Sequence, residues 1–140
     1  MTVAVQGRTL VGGAAQGNAL TSVEPLSFWG GYDQFTGEII DRRHPLSGAN
    51  AVGTILVLPA SRGSSTTAAV LLEAVRRRMS PAIIVTCGTD RFLTLAAIVA
   101  EEMYGHTVGI VSIDSAEDFA ALAGATQISV TADGLVTRDN

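Results

Sequence analysis

From residue 54 onward the chain alternates short runs of branched apolar residues with segments of helical period. That alternation restricts the fold more than any other feature. "TILVL" (54–58) reads as a buried strand. A helix over about 65–79 follows, with Ala68, Leu71, Leu72, Val75 and Met79 on one face, and Ser80-Pro81 stops it. "AIIVT" (82–86) is the next strand. The spacing then predicts a helix over about 90–103, with Leu93, Ala96, Ala97 and Ala100 inward and Gly105 as its terminator. "VGIVSI" (108–113) gives a third strand, Ser115 to Leu122 a short helix and "QISVTA" (127–132) a fourth strand, after which Gly134 turns the chain into a final short one. Strands alternating with helices imply βαβ crossovers and buried parallel pairing.

The first third reads differently. "VAVQGRTLVGGAAQGNAL" is a strand–turn–strand unit cut by Gly7, Gly12-Gly13 and Gly17. Residues 23–53 hold no sustained period and carry Pro25, Gly30-Gly31, Gly37, Pro45 and Gly48. So long an irregular stretch in a compact domain is usually functional or interfacial. No repeat or linker divides the chain. The expectation is one α/β domain over residues 1–140, a glycine-rich β front portion followed by βαβαβ crossovers.

Composition narrows what such a domain can do. Hydrophobic residues make up 47% and charged residues 16%, with a mean hydropathy of +0.36. No apolar run approaches the roughly 20 residues that span a bilayer. The apolar surplus is therefore assigned to a protein partner rather than to lipid, and self-association of the isolated chain through that surface stays open. Net charge is −4 and all nine basic residues are Arg, which removes lysine Schiff-base and Walker-type chemistry. There is no extended basic face, so nucleic acid is not an expected partner. Cys87 is the only cysteine, and one thiol cannot form an internal disulfide or by itself hold an iron–sulfur cluster. The N-terminal residues lack a basic segment followed by an apolar core, and a reducing cytoplasm is the expected setting.

Two stretches carry candidate chemistry. The first is the turn Ser61-Arg62-Gly63-Ser64-Ser65-Thr66-Thr67 between a strand and a helix. Hydroxyls there can cap the orphan amides of the helix, and that role needs no further function. A glycine permitting close backbone approach, Arg62 and a helix start also favour an anion such as a carboxylate or phosphate. Both readings stand, and neither a phosphate loop nor a nucleophile elbow is spelled out. The second stretch is "PLSFWGGYDQFTGEIIDRRHP" (25–45). It is either a loop whose Phe28 and Trp29 plug the sheet, or a substrate- or partner-facing loop in which Gly30 and Gly31 allow close approach. Asp33, Arg43 and His44 belong to it.

The order of "GRTLVGGAAQGNAL", "EPLSFWGGYDQFTGEIIDRRHPLSG", "GTILVLPASRGSSTTAAVLLEAV" and "PAIIVTCGTDRFLTLAAIVAEEMYG" resembles the small subunit, or swivelling domain, of the aconitase X family, over about residues 7–113. The resemblance implies a β/β/α swivelling domain that works with a large catalytic subunit holding an iron or iron–sulfur centre and most substrate contacts, with no metal bound by this chain alone. Family members dehydrate small hydroxy acids, among them cis-3-hydroxy-L-proline and mevalonate 5-phosphate. The Arg-only, alanine-rich composition favours the bacterial, hydroxyproline branch. By the same resemblance Ser64 is the base, with Arg62, Gly63 and Ser65 around the substrate. Trp29, Gly30, Gly31, Asp33, Arg43 and His44 are expected at the active-site rim or the subunit interface. The family pattern continues with Ser-Gly-Ser where this chain has Thr66-Thr67-Ala68, a departure that bears on selectivity more than on the base. The rival from another class is a non-catalytic anion-binding or assembly domain.

Overall fold

The branched apolar runs form the parallel strands that the sequence predicts. The computed structural model describes residues 2–63 and 65–139. In chain order the elements are β1 (Thr2–Gln6), β2 (Arg8–Val11), β3 (Ala15–Thr21), β4 (Leu26–Ser27), β5 (Ile55–Val57), β6 (Ser61–Arg62), α1 (Ser65–Arg76), β7 (Ile83–Cys87), α2 (Arg91–Tyr104), β8 (Gly109–Ile113), α3 (Ala116–Ala120), β9 (Gln127–Val130) and β10 (Leu135–Asp139). Eight strands make one sheet in the order β1-β10-β9-β3-β5-β7-β8-β2. Its middle, β3-β5-β7-β8, is parallel, and every other pairing is antiparallel.

Alternation along these strands builds two cores. Leu56, Leu58, Ile84 and Ile110 face α1 and α2, together with Phe28, Tyr32 and Ile39 from the long loop. Ile55, Val57, Ile83, Val85, Val111 and Ile113 face the opposite way, against Ile128, Val130 and Val136 of β9 and β10. A strand buried on both faces reads as a continuous apolar run, as "TILVL" and "AIIVT" do.

The glycine-rich front departs from the expected strand–turn–strand unit. β1 and β2 do not pair with each other but occupy the two ends of the sheet. Gly7 between them donates its N–H to Gly134 O at 2.8 Å, and a β-carbon at Gly7 would lie 2.5 Å from Val111 Cγ1. The sheet therefore turns back on itself where no side chain fits.

Helix α2 matches its prediction, with Leu93, Ala96, Ala97 and Ala100 buried and Gly105 in the left-handed conformation as its C-cap. Helix α1 is shorter and rotated relative to the expectation. It ends at Arg76 because Arg78 adopts φ +60°, and its buried residues are Thr67, Val70, Leu71, Ala74 and Val75. Ala68 and Leu72 only flank the core.

At the end of α1, Glu73 accepts from Arg76 Nε and Nη2 and from Arg77 Nε, each at 2.7 Å. The hydrogen bond from Arg76, then that from Arg77, holds its carboxyl down at about 2, from an ordinary 4.5. A depressed folded pKa stabilises the protein fully above the ordinary value, and the contribution disappears as pH falls through the folded value. The melting temperature of Glu73→Gln should therefore trail wild type by a small, constant margin above pH about 4.5. The margin should close as pH falls toward 2. A margin independent of pH across that window would refute the pairing.

Candidate functional site

The hydroxyl turn leaves the C-terminal end of β5, beside the ends of β7 and β8. Cys87 N–H donates to Pro59 O at 3.1 Å, and Gly88 N–H to Ile113 O at 2.9 Å. In open parallel sheets this is the edge at which ligands bind. The turn is not a free loop. Ser61 and Arg62 form β6, which pairs in parallel with Leu26 and Ser27 of β4. Gly63 follows at φ +110°, a conformation that side-chain-bearing residues rarely adopt. Thr67, fully buried in the first turn of α1, donates from Oγ1 to Arg62 O at 3.4 Å.

Arg62, Gly63, Ser65 and Thr66 are all exposed. Arg62 has no salt bridge among the described residues. Ser64, expected as the base, lies outside the described residues.

Two residues at the turn were not singled out from the sequence. Ser27, whose Oγ donates to Trp29 O at 3.0 Å, stands about 4.0 Å from where a β-carbon on Gly63 would be. Asp90 is buried; its Oδ2 accepts from Ser61 N–H at 2.6 Å and from Ser61 Oγ at 2.7 Å, and its Oδ1 caps α2 through Leu93 N–H at 3.0 Å. An Asp directly before a helical apolar period signals the cap. Its second set of partners, 29 residues upstream, has no local signal.

The rim candidates separate into two groups. Trp29, Gly30 and Asp33 meet along an open groove that Phe35, Ile40 and Val70 complete. Trp29 is 68% exposed, whereas Phe28 and Tyr32 are the residues that plug the core, their rings stacked at 5.3 Å. The Tyr32 hydroxyl donates to Met79 O at 2.6 Å, and burial pushes its pKa upward. Gly31 is buried against this chain's own backbone: a β-carbon there would lie 2.1 Å from Ser27 O. Of the two glycines, only Gly30 is open to a visitor.

Arg43 is exposed and His44 is buried. Its Nδ1 accepts from Leu46 N–H at 3.1 Å, so Nε2 carries the proton and donates to Glu24 O at 3.2 Å. The ring braces residues 22–24 against the loop.

Metal-ligating side chains are sparse. Among the described residues no group of three or more His, Cys, Asp or Glu side chains is placed to hold a metal ion. Cys87 is a free thiol beside an apolar cleft of about 160 Å³ lined by Val57, Pro59 and Phe119. No helix among the described residues is long and apolar enough to cross a membrane.

A mixed sheet folded back on itself, with two helices on one face and the hydroxyl turn at the parallel strand ends, defines a small α/β domain. Residues 4–138 match the family described as the aconitase X swivel domain. A cis-3-hydroxy-L-proline dehydratase from Pseudomonas aeruginosa is 48% identical over 103 residues, covering 74% of this chain but 18% of that protein. A phosphomevalonate dehydratase small subunit from Methanothermobacter thermautotrophicus is 36% identical over 93 residues, 66% of this chain and 71% of that one. The crystal structure of Thermococcus kodakaraensis aconitase X in its holo form superposes with a TM-score of 0.82 at 27% identity, covering 99% of each chain. The chain belongs to the aconitase X swivel-domain family. It spans about a fifth of the length of the cis-3-hydroxy-L-proline dehydratases it matches, 18% in one and 21% in another.

Proposed function

We propose that this chain is the swivelling, small-subunit component of an aconitase X-type hydro-lyase, and that its substrate is cis-3-hydroxy-L-proline. The observation that carries the reading is the 48% identity to a dehydratase of that substrate, against 36% to a phosphomevalonate dehydratase small subunit. The family's small subunits imply a large subunit, and the side chains that this chain leaves exposed suit one. Trp29 and Phe35 project from the loop, and Phe92, Leu95, Ile98 and Met103 from the outer face of α2.

The reaction takes the proton from the carbon beside the carboxylate and expels the neighbouring hydroxyl as water, leaving a pyrroline carboxylate. Ser64 is the base. A serine hydroxyl is a poor base at its free pKa and depends on its surroundings for activation. Arg62 and the positive end of the α1 dipole favour the negative charge that develops beside it. Gly63 keeps the approach free of a side chain, and Ser65 offers a hydrogen bond to the substrate. In this reading the iron or iron–sulfur centre is held by the large subunit, which the small-subunit naming of the relatives favours. Bound there, it supplies a Lewis acid for the leaving hydroxyl.

The test is reconstitution. The chain, co-purified with its large subunit, should convert cis-3-hydroxy-L-proline and leave mevalonate 5-phosphate untouched. Conversion of the phosphate ester instead would move the enzyme to the other branch. A complex inert toward both, with this chain binding small carboxylates alone, would replace the catalytic reading with an anion-binding one.

A further inference from the structure

We propose that Asp90 is a positioning residue for the hydroxyl turn, acting through Ser61, and that the dehydratase needs this tether for turnover. The catalytic half of the proposal rests on the function proposed above; the tether itself does not.

Capping α2 requires one acceptor, and Ser, Thr or Asn would serve as well as Asp. Asp90 does more than cap. While Oδ1 takes Leu93 N–H, Oδ2 takes both the N–H and the hydroxyl of Ser61, at 2.6 and 2.7 Å. Only a carboxylate offers acceptors on both of its oxygens in this geometry; an amide must present a donor on one side. The residue is only 9% exposed, so its bonds are shielded from water and loss of one leaves a polar group unpaired. The arrangement ties together two strand–helix junctions that are adjacent in space, β5 to α1 and β7 to α2. Ser61 lies three residues before Ser64. Ser61 and Arg62 are thus held by β4, Ser61 also by Asp90, and Arg62 O accepts from the Thr67 hydroxyl. A reacting group displaced by about 1 Å can lose on the order of a hundredfold in rate.

Asp90→Asn separates the two roles, because its remaining carbonyl still caps α2 while its NH2 faces Ser61 N–H. Ser61→Ala removes the hydroxyl bond without touching the cap. In the reconstituted complex Asp90→Asn should lower kcat by about 10- to 100-fold with KM within about threefold, since most substrate contacts belong to the large subunit. Ser61→Ala should lower kcat less, and the double variant should be no worse than Asp90→Asn. Hydrogen exchange should quicken by about tenfold or more at the amides of residues 61–66 in Asp90→Asn, with the amides of α2 still protected. Unchanged exchange in the turn would overturn the tether. Faster exchange with unchanged kcat, or a loss of kcat that only follows the unfolded fraction, would overturn its part in catalysis. If the wild-type complex dehydrates neither substrate, the functional reading fails, and the exchange measurement alone decides the tether.

Discussion

Ser64→Ala, in the assembled complex, is expected to lower kcat for dehydration of cis-3-hydroxy-L-proline by roughly 10²- to 10⁴-fold, the usual contribution of a positioned proton-transfer group. Assembly with the large subunit should be unaffected, because the change removes one oxygen. Residual turnover above the uncatalysed rate should persist, because Arg62 and the amides at the start of α1 still favour the developing charge. Ser65→Ala provides the comparison. It takes a hydroxyl from an exposed neighbour whose proposed role is binding, so KM should rise more than kcat falls. Steady-state kinetics on each variant, with gel filtration to verify the complex, distinguishes the two serines. Turnover of Ser64→Ala within about twofold of wild type would remove it from the mechanism and leave the turn with its capping role alone.

Much of the fold is legible from local pattern, and the failures have a common physical origin. The inner face of α2 follows from its period because one face of that helix packs into the core, with Asp90 and Gly105 marking its ends. The face of α1 is misread by a part turn. Its buried Thr67 takes a core position for the sake of a hydrogen bond to Arg62, and Arg78 ends the helix in a left-handed conformation that no propensity announces. Pairing across the sheet is non-local: nothing in "VAVQGRTLV" shows that β1 joins β10 and β2 joins β8. The site divides in the same way. The turn is readable as hydroxyls before a helix, whereas Ser27 and Asp90 reach it through β4 and α2, from 34 residues before and 29 residues after Ser61. His44 shows that burial, too, is not written in a local run. A histidine before a proline in a polar run suggests a surface, but its two ring nitrogens satisfy backbone groups inside the loop.

The paired glycines of the long loop should respond to substitution to very different extents, and the contrast tests how the turn is held. Gly30 sits at φ +76° with nothing within 4 Å of where a β-carbon would be. Gly30→Ala therefore meets only backbone strain, about 1 kcal/mol, or roughly 2–4 °C in Tm for a domain of this size. At Gly31 a β-carbon would lie 2.1 Å from Ser27 O, 3.3 Å from Ser27 C and 3.2 Å from Leu26 Cδ1. The first two are backbone atoms that no rotamer change can move. The strand they belong to, β4, is bonded to β6 through Leu26–Ser61 and Ser27–Arg62. Gly31→Ala must therefore push β4 out of place or pull the loop off the core that Phe28 and Tyr32 fill. The cost should be on the order of 3 kcal/mol or more. Relief by moving β4 would also displace Ser61 and Arg62, so the variant should lose turnover even at temperatures where it remains folded. Thermal melts of both variants, with kinetics on the reconstituted complex, would check this. Equal losses of stability in Gly30→Ala and Gly31→Ala would mean that the loop does not approach β4 so closely. A folded but fully active Gly31→Ala would mean that β4 does not hold the turn.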